Sequence, residues 1–249
     1  MIFLKTPEEI KIMHEANRML HCILDDIEPH IKAGNSTQLL DDIASEGCLK
    51  FHVRPAFLGY RNFPKSLCVS VNAAIVHGIP SDTEILQNGD VVSIDFGIEY
   101  KNFFADAART LIVGQAPENK IKLVMETKRA LDAGVSEVKV GNMLQDISKA
   151  IEAVAKENRY GNIKKMCGHG VGRALHEEPQ VINYTDTRAP NIRLQEGLVL
   201  AIEPMFTLGT SDIKIMGDGW KAITADNSTA AHWEYSVAIV DGEPLILGK

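Results

Sequence analysis

The chain has 249 residues, 45% of them hydrophobic and 24% charged, with a net charge of −7. That is the balance of a soluble globular protein with a sizeable core, and without a stripe of Lys and Arg it argues against nucleic acid as a direct partner. No apolar run reaches the roughly 20 residues that span a bilayer. The N-terminus lacks the basic-then-apolar signature of an export signal, and Cys22, Cys48, Cys68 and Cys167 form no CxxC pair. A cytoplasmic protein with reduced thiols, away from membranes, is expected.

Taken in chain order, Thr6-Pro7-Glu8-Glu9 is a capping box with proline at the first helical position. Ile10, Met13, Leu20, Leu24 and Ile27 then recur at helical spacing. Asn35 or Ser36 can cap a second helix that carries Leu39, Leu40 and Ile43. Strand-like segments follow at Leu67–Val71, Val91–Ile94 and Thr110–Val113. A third helix starts near Pro117, with Ile121, Val124 and Leu131 inward. Asn142 is expected to cap a fourth, with Gln145 three residues on and Leu144, Ile147, Ile151 and Val154 along one face. Strands are expected again at Val199–Ile202 and Val237–Val240.

The order is thus helices then strands, twice, and the residues repeat as well. Lys32-Ala33-Gly34-Asn35 through Gln38 resembles Lys139-Val140-Gly141-Asn142 through Gln145, at an offset of 107. Leu86-Gln87-Asn88-Gly89 through Asp95 resembles Leu194-Gln195-Glu196-Gly197 through Glu203, at an offset of 108. Two HxxP motifs, at His77 and His176, lie between these pairs; their smaller offset of 99 implies a longer loop after Pro179. Such a period is too long for a solenoid. One catalytic domain over 1–249 is expected, built from two pseudo-symmetric halves of about 5–113 and 114–247. The class is α+β, an antiparallel sheet covered by helices. The pseudo-two-fold sets Asp95 opposite Glu203 and His77 opposite His176, so a site between the halves is expected.

Five polar residues stand out by position, four of them where apolar strands are read to begin or end. Asp95 and Glu203 end such runs, Asp106 and Glu234 precede them, and His169 sits in Gly168-His169-Gly170-Val171-Gly172. Carboxylates at the ends of core strands are costly unless neutralised. Four converging carboxylates raise one another's pKa, whereas divalent cations hold them ionised. Four carboxylates with one imidazole suit a pair of divalent metals and exclude a cysteine-type zinc site. His77 and His176, each opening an HxxP turn, suit proton exchange or hydrogen bonding with a peptide near neutral pH. Asp95-Phe96-Gly97 matches the kinase DFG but lacks its companion motifs. Gly168–Gly172 resembles a phosphate loop but lacks the GK[ST] ending.

As a set, in this order, His77-Gly78-Ile79-Pro80, Asp95-Phe96-Gly97, Asp106 to Thr110, Gly168 to Gly172, His176-Glu177-Glu178-Pro179, Glu203-Pro204-Met205 and Trp233-Glu234 resemble the short, bacterial-type (type I) methionine aminopeptidases. The resemblance runs from about Thr6 to the C-terminus. It implies the pita-bread (creatinase/aminopeptidase) fold and two divalent metal ions (cobalt, manganese, iron, zinc or nickel) held by Asp95, Asp106, His169, Glu203 and Glu234. Asp106 and Glu234 are then the bridging ligands. Glu203 is also the general base for a metal-bridging hydroxide that attacks the first peptide bond. His176 stabilises the oxyanion and His77 meets the scissile amide. The implied methionine pocket is Phe57, Tyr60, Phe63, Cys68, His77, Leu175 and Trp220. The implied substrates are nascent chains and peptides with an N-terminal methionine and a small second residue. The resemblance also implies a monomer with transient ribosome association. Phe57, Leu175 and the segment His232 to Ser236 depart from the usual family pattern and bear on pocket shape and on the surroundings of Glu234. The competing readings are a proline-specific aminopeptidase relative, a non-catalytic pita-bread binding protein and a metal-storage module.

Overall fold

The computed structural model describes residues 2–249. Helix α1 (Pro7–Ile27) begins at the expected box: Thr6 Oγ1 accepts from Glu9 N and Glu9 Oε2 accepts from Thr6 N. Its inward stripe of Ile10, Met13, Leu20, Leu24 and Ile27 is buried, each residue contributing about 1.5–3 kcal/mol of transfer free energy. Helix α2 (Thr37–Phe51) is capped by Ser36, whose Oγ accepts from Leu39 N. These helices cover a sheet of β1 (Arg54–Pro55), β2 (Leu67–Val71), β4 (Val91–Tyr100) and β5 (Phe103–Ile112), while β3 (Ala74–Val76) leaves it. Leu20, Leu24, Leu40, Ile94 and Phe96 belong to the core between these layers.

Helices α3 (Glu118–Ser136) and α4 (Leu144–Asn158) cover a second layer. Its strands are β6 (Gly161–Asn162), β7 (Gly168–Gly170), β8 (Glu177–Val181), β9 (Val199–Ile202), β10 (Met205–Thr207), β11 (Ile213–Ile215), β12 (Ala222–Thr224), β13 (Ala230–His232), β14 (Tyr235–Val240) and β15 (Glu243–Ile246). The main sheet here runs β15-β14-β9-β7-β8; β13-β10-β6 and β11-β12-β3 form two smaller ones, and every pairing is antiparallel. Leu131, Ile147, Ile151, Leu200, Ile202 and Val237 form a second core.

Local geometry recurs at the offset read from the sequence. Gly34 (φ 92°) and Gly141 (φ 95°) both turn left-handed, a conformation open to glycine because it lacks a Cβ. Asn35 donates from Nδ2 to the carbonyl five residues back (His30), and Asn142 does the same to Glu137. His52 and Arg159 both end their helices at positive φ.

The two layers meet along β5. Ala108 and Glu234 exchange main-chain hydrogen bonds at 3.4 and 3.0 Å, Ser236 Oγ donates to the Asp106 carbonyl, and Thr110 Oγ1 both accepts from His232 N and donates to His232 O. Among the described residues, no helix is long and apolar enough to cross a membrane.

Four expectations need correction. Asp95 and Asp106 lie inside β4 and β5 and not at their ends; a strand-interior carboxylate reads as a boundary because burial there is costly, and here both open onto a cavity. Asn142 does not cap α4, because its amide closes the preceding turn on Glu137; the Met143 N–H is met instead by Asp146. Ile121 is exposed, and Leu123 and Val124 take the inward positions of α3. The HxxP histidines are not local equivalents, since His77 follows β3 at φ 60° whereas His176 immediately precedes β8.

Candidate metal centre and active site

One cavity of about 590 Å³ is lined by Asp95, Asp106, His169, Glu203 and Glu234, and also by Tyr60, Phe63, Cys68, His77, His176 and Trp220. Strand register explains the convergence. Asp95 pairs with Ala108 and Asp106 with Gly97, so the two carboxylates are diagonal neighbours on one sheet face. His169 pairs with Ala201, two residues before Glu203. Glu234 arrives through its main-chain exchange with Ala108.

Asp106, His169 and Glu234 each offer one donor atom, all within 4.8 Å of one another. His169 Nε2 lies 3.9 Å from Asp106 Oδ2 and 3.6 Å from Glu203 Oε1. Its Nδ1 sits 2.9 Å from the Gly170 carbonyl, which can only accept, so Nδ1 carries a proton and the ring is held with Nε2 toward the carboxylates. Asp106 and Glu234 are almost wholly shielded from solvent. Asp95 Oδ1, Asp106 Oδ1 and Glu234 Oε1 are buried without a hydrogen-bond partner. Burial lifts Asp95 to about 7, with Glu203 adding to the rise and His232 opposing it. Burial likewise lifts Glu203 to about 7. Asp106 and Glu234 are driven well above the carboxylate range, first by burial and then by the neighbouring carboxylates. Orphaned acceptors, mutual repulsion and an imidazole nitrogen aimed at the carboxylates together fit divalent cations, which would supply the missing positive charge.

Beside the acids the wall turns apolar. Phe57, Phe63, Cys68 and Leu175 form a buried cluster, with Tyr60 and Trp220 packed against it. Trp220 meets Phe63 edge-on at 5.1 Å and His77 edge-on at 6.1 Å. Phe57 can lie across β4 because residue 97 is glycine; a Cβ there would come within 2.8 Å of its ring.

His176 stands at the cavity mouth, stacked on Tyr60, with Nδ1 2.9 Å from the Tyr60 hydroxyl. Desolvation, then His169, Arg61 and His77, lower its pKa to about 3; desolvation and His232 lower His77 to about 4. Both rings are therefore neutral near pH 7. A Tyr60 hydroxyl that donates to Nδ1 leaves His176 with a proton on Nε2.

The loop that carries His176 is tied from a distance. Glu177 Oε1 accepts from the Arg173 and Ala174 N–H groups, and its Oε2 pairs with Lys5 at 2.5 Å. Arg61, Met205 and His232 escaped the sequence reading as members of the site. Arg61 and Met205 line the cavity, and nothing in their own spacing marks them. The His232 signal was available, since it stands two residues before Glu234 in extended chain.

The sequence profile of Metallopeptidase family M24 matches residues 11–241. The chain is 44% identical over 246 residues to the methionine aminopeptidase of Borreliella burgdorferi, covering 99% of this chain and 98% of that one. It is 38% identical to the methionine aminopeptidase of Escherichia coli K12, over 96% of this chain and 91% of that one. The crystal structure of the Thermotoga maritima methionine aminopeptidase superposes with a TM-score of 0.97 at 37% identity, over the whole of both chains. The prolidase of Pyrococcus horikoshii shares the fold, with a TM-score of 0.77 at 23% identity, and this chain covers 63% of it. A pita-bread fold with a carboxylate–imidazole cluster defines a metallopeptidase, and the chain belongs to family M24. Within that family it is one of the bacterial-type methionine aminopeptidases.

Proposed function

We propose that the cavity is the active site, and that this chain removes the initiator methionine from peptides and nascent chains whose second residue is small. The observation that carries the reading is the juxtaposition, in one cavity, of a carboxylate–imidazole cluster and a pocket of aromatic and sulfur surfaces. A thioether packs well against such surfaces. The proline-specific alternative is less well supported, since the chain covers under two thirds of the prolidase it resembles in fold.

In this reading Asp95, Asp106, His169, Glu203 and Glu234 hold the divalent cations, two in number. Such cations, when bound, lower the pKa of water and polarise the scissile carbonyl. Glu203 takes the proton from the attacking water; its Oε1 faces His169 and its Oε2 faces His232. His176, neutral with its proton on Nε2, donates to the carbonyl oxygen as negative charge develops there. His77 meets the scissile amide nitrogen at the boundary between acids and aromatics. Phe57, Phe63, Cys68, Leu175 and Trp220 seat the methionine side chain and exclude water from it.

The test is release of the first residue from Met-Ala-Ser, Lys-Ala-Ser and Ala-Pro-Ser by metal-stripped protein titrated with divalent metals. Metal-dependent cleavage of Met-Ala-Ser alone is the expected result. Cleavage of Ala-Pro-Ser instead would assign the chain to proline-specific chemistry. No cleavage despite metal uptake would make it a binding protein on a peptidase fold.

A further inference from the structure

The least explained side chain in the molecule is His232. It is 1% exposed, and neither Nδ1 nor Nε2 has a hydrogen-bond partner. A buried imidazole carries at least one N–H, and leaving it unmet is costly. Its main chain is nevertheless held on all sides. The N–H and C=O both bond Thr110 Oγ1, at 3.0 and 2.5 Å; that hydroxyl also bonds Ser93 Oγ, and His232 pairs with Met205 across β10 and β13. The ring is thus placed from a rigid platform. Its Nε2 lies 3.4 Å from Glu203 Oε2, while His169 Nε2 stands 3.6 Å from Oε1 of the same carboxylate. Glu203 therefore lies between two imidazoles, one per oxygen. His169 shares a donor group with Asp106 and Glu234, whereas His232 approaches from the other side.

We propose that His232 is a positioning residue for Glu203: its Nε2–H donates to Oε2 and fixes the plane of the carboxylate. One oxygen is then presented toward His169 and the acidic cluster. The other keeps a lone pair aimed into the cavity for the proton it receives. A closure of a few tenths of an ångström brings the pair to hydrogen-bond length. A partner that orients a ligating carboxylate in this way typically changes metal affinity or activity by about 10–100-fold when lost.

The inference rests on Glu203 being the base, so Glu203→Gln is run beside it. If that variant stays active, the base assignment fails on its own account, whatever His232 does. The variants of interest are His232→Leu, which fills the space without a donor, and His232→Gln, whose amide is a donor of similar reach. Each is checked for fold by circular dichroism and thermal melting; His232→Met replaces the leucine variant if that one does not fold. Turnover of Met-Ala-Ser is measured on manganese-loaded protein, and manganese affinity by calorimetry on metal-free protein. The expected result is that the apolar variant loses about 10–100-fold in kcat, keeps KM within about two-fold and binds manganese several-fold more weakly. The glutamine variant recovers most of both. Equal activity in the apolar and glutamine variants overturns the proposal. So does a change in the cobalt visible spectrum of the glutamine variant, which would make His232 a direct ligand.

Discussion

Lys5 and Glu177 form a buried ion pair at 2.5 Å, their side chains only 1% and 5% exposed. Lys5 Nζ also donates to the Phe3 carbonyl, and its main-chain N–H bonds Gly197. Burial lowers the Lys5 pKa, with Glu177 opposing the fall. The pair ties the segment before α1 to the loop that presents His176. Removing one partner strands the other charge, which typically costs about 3–5 kcal/mol. Lys5→Met should therefore be strongly destabilised in urea unfolding, and Lys5→Met with Glu177→Gln should recover most of the loss. The amide oxygen introduced by Glu177→Gln can still accept from the Arg173 and Ala174 N–H groups, so the double variant should also retain turnover. Equal stability in the single and double variants would show that the pair does not act as a unit.

Glu203→Gln should lower kcat by at least about 100-fold, the usual worth of a general base. The same change should leave the metal-free protein at least as stable as the parent above pH 7. The Glu203 carboxyl is lifted to about 7 by burial, so its ionised form is a burden on the fold there. Thermal melts of the two metal-free proteins at pH 8 compare them directly.

His21 gives a pH dependence remote from the cavity. Burial, then Arg109 and Lys249, lower its pKa to about 4, and Arg109 Nη2 approaches Nδ1 at 3.2 Å. The unfolded chain binds this proton near pH 6.5 and the folded chain near 4, so between these values unfolding takes up a proton and stability falls as the pH is lowered. Relative to His21→Asn, the parent should lose about 2 kcal/mol between about pH 7 and about pH 4.5. Parallel stability curves for the two proteins would exclude the effect.

Gly97→Ala should act on substrate binding more than on chemistry. The new methyl group would meet Phe57 Cε1 at 2.8 Å and Ala56 Cβ at 3.1 Å, pushing the Phe57 ring into the cavity. Overpacking of this kind costs about 1–3 kcal/mol. KM for Met-Ala-Ser should rise by about ten-fold with kcat little changed, the mark of lost binding shared by ground and transition states.

The sequence carried most of this arrangement because its signals are local. Thr6 to Glu9 form the cap they spell, and the stripe from Ile10 to Ile27 faces the core. The repeat placed Gly34 and Gly141, and Asn35 and Asn142, in matching turns. The acids of the cluster were legible because charged residues beside apolar runs are anomalous, and His169 because it stands alone among glycines. The strand ends misled, since β4 continues past Asp95 to Tyr100: pairing with β1 and β5 extends it, and neither pairing is written in the local pattern. The pairing of Lys5 with Glu177, and of His232 with Glu203, was hidden for the same reason. Each joins chain distant in sequence, and although Glu203 and His232 each carry a local signal, nothing local says that they meet.

The seam where Ala108 and Glu234 exchange main-chain hydrogen bonds brings Glu234 to the carboxylates of β4 and β5. The donors of the centre come from residues 95 through 234, on both sides of that seam. A half-synthesised chain carries Asp95 and Asp106 without His169, Glu203 and Glu234. In the proposed reading this assembly is an interlock: the donor set is complete only in a chain that extends through Glu234 and has closed the seam against β5.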